Sequence, residues 1–292
     1  MLKNLQSEDV EAILLSDSDL ADFILENLRS SLSSIGFSKL FLDELLSSLG
    51  TLDVNVFGEK WKRELQEKYS TGFFQDLVPK YFSDYVVPMT PSASKIVDVG
   101  CGTGILDKLY AEDGRFGTVI GIDINRYPEW AIFQNEKIRF DVIKEDTFTS
   151  FLNIEKPDSI VLTWALHHME YDEQERYLGY IYENLKSGAR VVILEDSYST
   201  LFSPENGADK YGKFMEWNIE QRKKIMSVYD WVANRVLAQR EQEPIPCTYR
   251  TLEEWGDVLE KSGFMIVIQK FIGFPSNRDI NTPQSLIVVE KK

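Results

Sequence analysis

The chain has 292 residues, a length that fits one large domain or one domain with an added helical cap. Hydrophobic residues at 43% and aromatics at 12% supply a full core, which excludes a disordered chain. A net charge of -15 repels phosphate backbones and anionic lipid, so neither nucleic acid nor a membrane is expected as a partner.

Two cysteines, Cys101 and Cys247, cannot build a disulfide scaffold and suit a reducing compartment. MLKNLQSEDVEAILL is too acidic, with too short an apolar core, for a signal peptide. No apolar run approaches the ~18 residues that a membrane helix needs. The expected setting is cytoplasmic.

Residues 1–90 read as a helical cap or lid. Leu20, Phe23, Ile24, Leu28 and Leu32 fall near helical spacing, SDSD before them offers N-cap oxygens, and Gly36 breaks the pattern. FSKLFLDELLSSLG is a second amphipathic helix ending at Gly50. Residues 58–87 are helical again, with a break at Ser70–Gly72 and stops at Pro79 and Pro88. Such helices close over a site or, as a second option, pair two copies into a homodimer.

Strands and helices alternate from Lys95. KIVDV, TVIGIDI, KIRFDVI, DSIVLTWAL and ARVVILED read as five strands. Val/Ile/Leu runs such as VVIL suit parallel strands buried on both faces. Residues 199–250 interrupt the rhythm as a helical insertion, in which KFMEWNIEQRKKIMSVYDWVANRVLAQR is one helix or two. TLEEWGDVLEKSGF is a helix with a capping box from Thr251 to Glu254. FMIVIQKF and QSLIVVEK close the chain as a strand pair. The pattern predicts an α/β fold with a doubly wound sheet over residues 91–292.

KIVDVGCGTG, Lys95–Gly104, puts a bare loop between a strand and a helix. Glycine removes the Cβ that would keep a ligand off the backbone, and a helix start presents free N–H groups. Asp123 ends the next strand, where an acid can accept hydrogen bonds from a ribose diol. A dinucleotide site usually wants G-x-G-x-x-G, but Gly100, Gly102 and Gly104 are spaced G-x-G-x-G. Asp98 sits awkwardly beside a pyrophosphate and suits a cationic amino-acid end. The bland alternative is that Asp98 and Asp123 cap loops or pair with lysines.

DVGCGTG followed by GIDI resembles the class I S-adenosylmethionine-dependent methyltransferases, over roughly residues 90–292. DSIVLTWALHHM, LKSGARVVILED and EEWGDVLEKSGF look like later motifs of that family; residues 1–60 and 199–250 are not covered. The resemblance implies a seven-stranded, mostly parallel sheet with S-adenosylmethionine as cofactor. It places Asp98, Gly100, Cys101, Gly102 and Gly104 along the methionine part, and Asp123 on the ribose with Ile124 beside it. Asp146 would meet the adenine amine, with Thr147 next to it, and Trp164 would line the reactive side.

His167 and His168, the two histidines of the chain, follow the fourth strand at its ligand-facing end. One of them serves as general base, His167 by preference, or LHH is a packing element. A metal is not expected, because adjacent histidines point apart and no C-x-x-C or H-x-x-x-H spacing supports them. Glu195 and Tyr198 at the end of the fifth strand, Trp217 in the insertion and Arg278 between the last strands are candidates for the acceptor. Each also has an ordinary reading, as cap, core or surface. The expectation is methyl transfer to a small molecule, its acceptor atom undetermined. A protein methyltransferase, a cofactor-binding protein without catalysis and a nicotinamide-dependent oxidoreductase are the alternatives.

Overall fold

The computed structural model describes residues 5–241, 243–275 and 282–292. The N-terminal region is helical: α1 (Ser7–Ser16), α2 (Ser18–Ser34), α3 (Lys39–Ser48), α4 (Val54–Glu64) and α5 (Val78–Tyr85). Asp17 caps α2, accepting from the amides of Asp19 and Leu20. The α2 stripe of Leu20, Ile24, Leu28 and Leu32 is buried within the chain, so that face packs internally. The break expected at Ser70–Gly72 is instead a widening: Leu65–Leu77 form a π-helix that runs straight into α5. Pro79 follows in the first turn of α5, where, contrary to expectation, it does not stop the helix.

The chain then runs β1 (Ala93–Val99), α6 (Ile105–Glu112), β2 (Phe116–Asp123), α7 (Trp130–Phe133), β3 (Ile138–Val142), α8 (Glu145–Glu155), β4 (Ser159–Thr163), α9 (Tyr171–Asn184) and β5 (Arg190–Asp196). The insertion contributes α10 (Ala208–Met215), α11 (Ile219–Trp231) and a second π-helix, Val232–Leu237. It is therefore two helices with a widened end. The chain closes with α12 (Leu252–Lys261), β6 (Phe264–Gly273) and β7 (Gln284–Lys291). The expected capping box starts α12: Thr251 Oγ1 accepts from the Glu254 amide at 3.1 Å, and Glu254 Oε2 from the Thr251 amide at 2.8 Å.

The described strands form one seven-stranded sheet in the order β3-β2-β1-β4-β5-β7-β6. It is parallel except for β7, which runs antiparallel to both β5 and β6. Val191–Leu194 of β5 and Leu286–Val289 of β7 are fully buried, as the apolar runs require of a sheet covered on both faces. The chain leaves β1 toward β2 and β3, then crosses back to β4. The crevice for a ligand therefore opens at the carboxyl ends of β1 and β4.

The N-terminal helices and the insertion pack on each other, and residues within 69–82 of the one and within 230–244 of the other line the crevice. Gln221 Nε2 on α11 donates to Asp17 Oδ2 at 2.9 Å, and the Phe23 and Trp217 rings meet edge-on at 5.6 Å. The Tyr69 hydroxyl donates to the Ala233 carbonyl at 3.4 Å, tying one π-helix to the other. Among the described residues no helix is long and apolar enough to cross a membrane.

Candidate active site

Residues Gly100–Gly104 turn from β1 into α6. Gly100, Gly102 and Gly104 all have positive φ, at 74°, 52° and 85°, which an L side chain adopts only with strain. A Cβ on Gly100 would lie 2.7 Å from Ala165 Cβ, and one on Gly104 would lie 2.5 Å from the Phe140 ring. At Gly102 nothing stands within 4 Å, so this glycine opens onto free space. Trp130 Nε1 donates to the Gly102 carbonyl at 2.8 Å and holds the loop from outside.

Asp123 organises the same loop. Its Oδ2 accepts from the Gly102 amide at 3.0 Å and its Oδ1 from the Asn125 amide at 2.9 Å. Each oxygen keeps a lone pair, and the side chain reaches the cavity wall. Burial pushes the carboxyl above its ordinary range, against the pull of those amides.

Asp98 is placed differently from the sequence expectation. It is wholly buried behind the loop, outside the cavity wall, and faces Asp107 of α6, equally buried. Among the described residues no N–H of a third residue reaches either carboxylate. Burial, and then the charge of Asp123, push Asp98 up to about 7; burial and the neighbouring Asp98 push Asp107 well above the usual carboxylate range. Both shifts favour the neutral carboxyl at this junction.

The cavity measures about 200 Å³, against the ~10–15 Å³ that one water needs. Its floor is Val99–Thr103, Ile122–Ile124 and Ile143; its roof is Tyr69, Phe73, Phe74 and Phe82. Residues 1–90 read as a cap or lid, but which of its side chains line the cavity was not legible in advance. Trp164 lines the wall, in a left-handed backbone conformation (φ 53°), with Phe82 5.0 Å away and its indole N–H donated to Gln284 Oε1 at 2.6 Å. Cys101 also lines the wall; burial pushes its thiol up, so it is no nucleophile at neutral pH. Ile124 lines the wall at 53% exposure.

The far end holds His167, His168, Asp196, Asp230 and Glu243. Glu195 sits behind His167: its Oε1 accepts from the amides of Ala165 and Leu166, and its Oε2 lies 2.6 Å from His167 Nδ1. Burial disfavours a charged imidazole there, but the charge and hydrogen bond of Glu195, with Asp196 and Asp230 nearby, outweigh it and hold His167 up to about 10. Glu195 thus holds His167 Nδ1, and the other ring nitrogen, Nε2, is the one turned toward Asp230. His168 Nδ1 lies 2.6 Å from the Pro244 carbonyl, where only a donor fits, so in the neutral tautomer Nε2 is the acceptor. The two rings do not point apart: their centroids are 4.2 Å from one another.

Several candidates lie elsewhere. Asp146 and Thr147 are exposed on the first turn of α8; the wall on that side is Ile143 and Phe148. Glu195 is fully buried and caps the β4 loop, so it orients His167 and does not face the cavity. Tyr198 is buried beneath the Arg222 guanidinium, and Trp217 packs on Phe23 between roof helices. Arg278 lies outside the described residues. Asp230 was missed, though an acid between Tyr229 and Trp231 in an apolar stretch is a signal: every residue from Ile225 to Trp231 is buried.

A family model described as a methyltransferase domain matches residues 62–269. An uncharacterized methyltransferase of Oceanobacillus iheyensis is 31% identical over 121 residues, 40% of this chain and 54% of that protein. One of Bacillus mycoides is 31% identical over 161 residues, 55% of this chain and 67% of that protein. The chain thus spans about half to two-thirds of the length of these curated relatives. Among solved structures, N,N-8-amino-8-demethyl-D-riboflavin dimethyltransferase of Streptomyces davawensis aligns at TM-score 0.52 and 15% identity, over 92% of this chain and 69% of that one, a likeness of fold. With the family model matched over more than half of its length, the chain belongs to the methyltransferase-domain family, built on the Rossmann-like sheet of the class I S-adenosylmethionine-dependent methyltransferases.

Proposed function

We propose that the protein transfers a methyl group from S-adenosylmethionine to a small molecule enclosed at the histidine end of the cavity. One observation carries the reading: a single cavity joins the Gly100–Thr103 backbone and Asp123 to His167, His168 and Asp230 beneath an aromatic roof. The wall suits the cofactor, since Gly102 leaves open the space that a Cβ would fill and Asp123 keeps acceptor positions for ribose hydroxyls. Ile124, Ile143 and Phe148 offer apolar surface for the adenine. When bound, the cofactor supplies a methyl on a sulfonium that leaves as a neutral thioether.

The chain's own contribution is orientation and exclusion of water. Tyr69, Phe73 and Phe82 close the cavity above, and alignment of two reactants of this kind supplies roughly 7–11 kcal/mol in favourable cases. His168 Nε2, Asp230 and Glu243 present acceptors to a hydroxyl or amine of the substrate. The enclosed roof and the acidity of the chain favour a small molecule over a polymer. The test is calorimetric titration with S-adenosylmethionine, its demethylated product and nicotinamide dinucleotides, followed by mass spectrometry of a small-molecule acceptor panel. Saturable one-to-one binding of the first two, none of the third, and a gain of one methyl mass on a panel member are expected. Nicotinamide binding, or tight cofactor binding with no transfer across the panel, would overturn the reading.

A further inference from the structure

We propose that His167, His168 and Asp230 form the ligand set of a divalent transition-metal site, of the zinc class, that opens onto the acceptor end of the cavity. One ligand atom from each of the three lies within 4.8 Å of the other two, and all three residues line the cavity. His167 Nε2 is 3.9 Å from Asp230 Oδ1. Bonds of about 2.0–2.2 Å place tetrahedral ligand atoms about 3.4 Å apart, so a metal would draw the set in by an ångström or so.

The stronger argument lies behind the ligands. A metal-bound histidine usually donates its other ring N–H to a carboxylate or a carbonyl, which fixes the ring and its tautomer. Both histidines are held that way: His167 Nδ1 by Glu195 at 2.6 Å, His168 Nδ1 by the Pro244 carbonyl at 2.6 Å. Asp230 is supported in turn, its Oδ1 by Asn234 Nδ2 at 2.6 Å and its Oδ2 by the Tyr249 hydroxyl at 3.1 Å. Both Nδ1 atoms are thus engaged behind the rings, and each Nε2 lies 3.9 Å from a carboxylate, Asp230 for His167 and Glu243 for His168.

Three protein ligands with the fourth position facing a cavity mark a catalytic site more than a structural one. Glu243 Oε1, 3.9 Å from His168 Nε2, stands at the rim. Resting on the methyl-transfer reading, the role follows: the ion takes an acceptor hydroxyl as fourth ligand and lowers its pKa, so the O–H proton leaves to solvent and the oxygen is free to attack. That would supply the nucleophile without a general base.

The test reads the metal, not turnover, so its failure is separate from failure of the transferase reading. Tag-free, chelator-stripped protein is loaded with Zn²⁺ or Co²⁺, gel-filtered and analysed by mass spectrometry for bound metal. About one equivalent should stay with the wild type and be lost in His168→Ala and Asp230→Asn variants that still bind S-adenosylhomocysteine. No retained metal in the wild type, or equal retention by both variants, overturns the site. Should the variants fail to fold, the wild type decides: the chain has two histidines, so imidazole ¹⁵N spectra report on these two alone. Zinc should shift both Nε2 resonances, and unchanged resonances refute the proposal.

Discussion

Asp98 and Asp107 face each other across the β1–α6 junction, both wholly buried, with no N–H of a third residue among the described ones on either carboxylate. A pair of acids in that position holds a proton that the unfolded chain gives up. Burial sets the sign: Asp98 rises from its ordinary 3.8 to about 7. The folded state thus binds the proton between about pH 4 and 7 while the unfolded state loses it, so stability falls as pH rises through that window. The expected loss is roughly a few kcal/mol.

Asp98→Asn should make this dependence shallower, buried Asp107 and His167 keeping their own shares of it, and make the protein more stable than wild type at pH 7 to 8. Urea unfolding at pH 5, 6, 7 and 8 reads it. A variant curve as steep as the wild type's would show that the proton lies elsewhere.

Asp123 does two things at once, accepting from Gly102 and Asn125 while presenting lone pairs to the cavity. Asp123→Ala should lose both the loop contacts and the ribose partner. Hydrogen bonds to a charged group contribute about 1.5–3 kcal/mol, so affinity for S-adenosylhomocysteine should drop roughly 10- to 150-fold with the circular dichroism unchanged. Wild-type affinity in calorimetry would remove Asp123 from the cofactor site.

Two neighbouring glycines should separate stability from binding. In Gly104→Ala the new methyl meets the Phe140 ring at 2.5 Å, and the backbone is left-handed. Strain and overpacking together should cost about 2–4 kcal/mol of stability. In Gly102→Ala the methyl enters open space on the ligand side, so stability should fall by only about 1–2 kcal/mol, while cofactor affinity falls tenfold or more. Equal thermal shifts and equal affinities in the two variants would contradict this division.

What the residues disclosed in advance was local. The Val and Ile runs gave the strands, Asp17 and Thr251 gave two helix starts, and the glycine spacing with Asp123 gave one half of the cavity. The other half depends on contacts far apart in sequence. Tyr69 meets Ala233 across 164 residues, and no periodicity encodes that. Glu195 shows the same limit: an acid ending a strand reads as a site residue, but the free amides of Ala165 and Leu166 claim it from 30 and 29 residues away. Asp98 fails for a third reason. A sheet covered on both faces buries Ile96 to Val99 of β1 alike, so alternation did not tell which side of the loop the Asp98 carboxyl takes.

Arg240 supplies the last prediction. Its guanidinium lies 5.4 Å from the Phe74 ring in the roof and 5.6 Å from the Tyr127 ring beside the β2 end of the floor. It therefore spans the cavity from the insertion side and ties roof to floor. Cation–π contacts of this sort contribute about 0.5–2 kcal/mol each. Arg240→Ala should release bound S-adenosylhomocysteine some 5- to 100-fold faster, with little change in association, because the groups that make the cofactor contacts stay in place. Arg240→Lys keeps the charge but loses the flat face that stacks on both rings, and should recover only part of the effect. Stopped-flow displacement measures both rates. An unchanged dissociation rate in Arg240→Ala would mean that the roof stays closed on its aromatic packing alone.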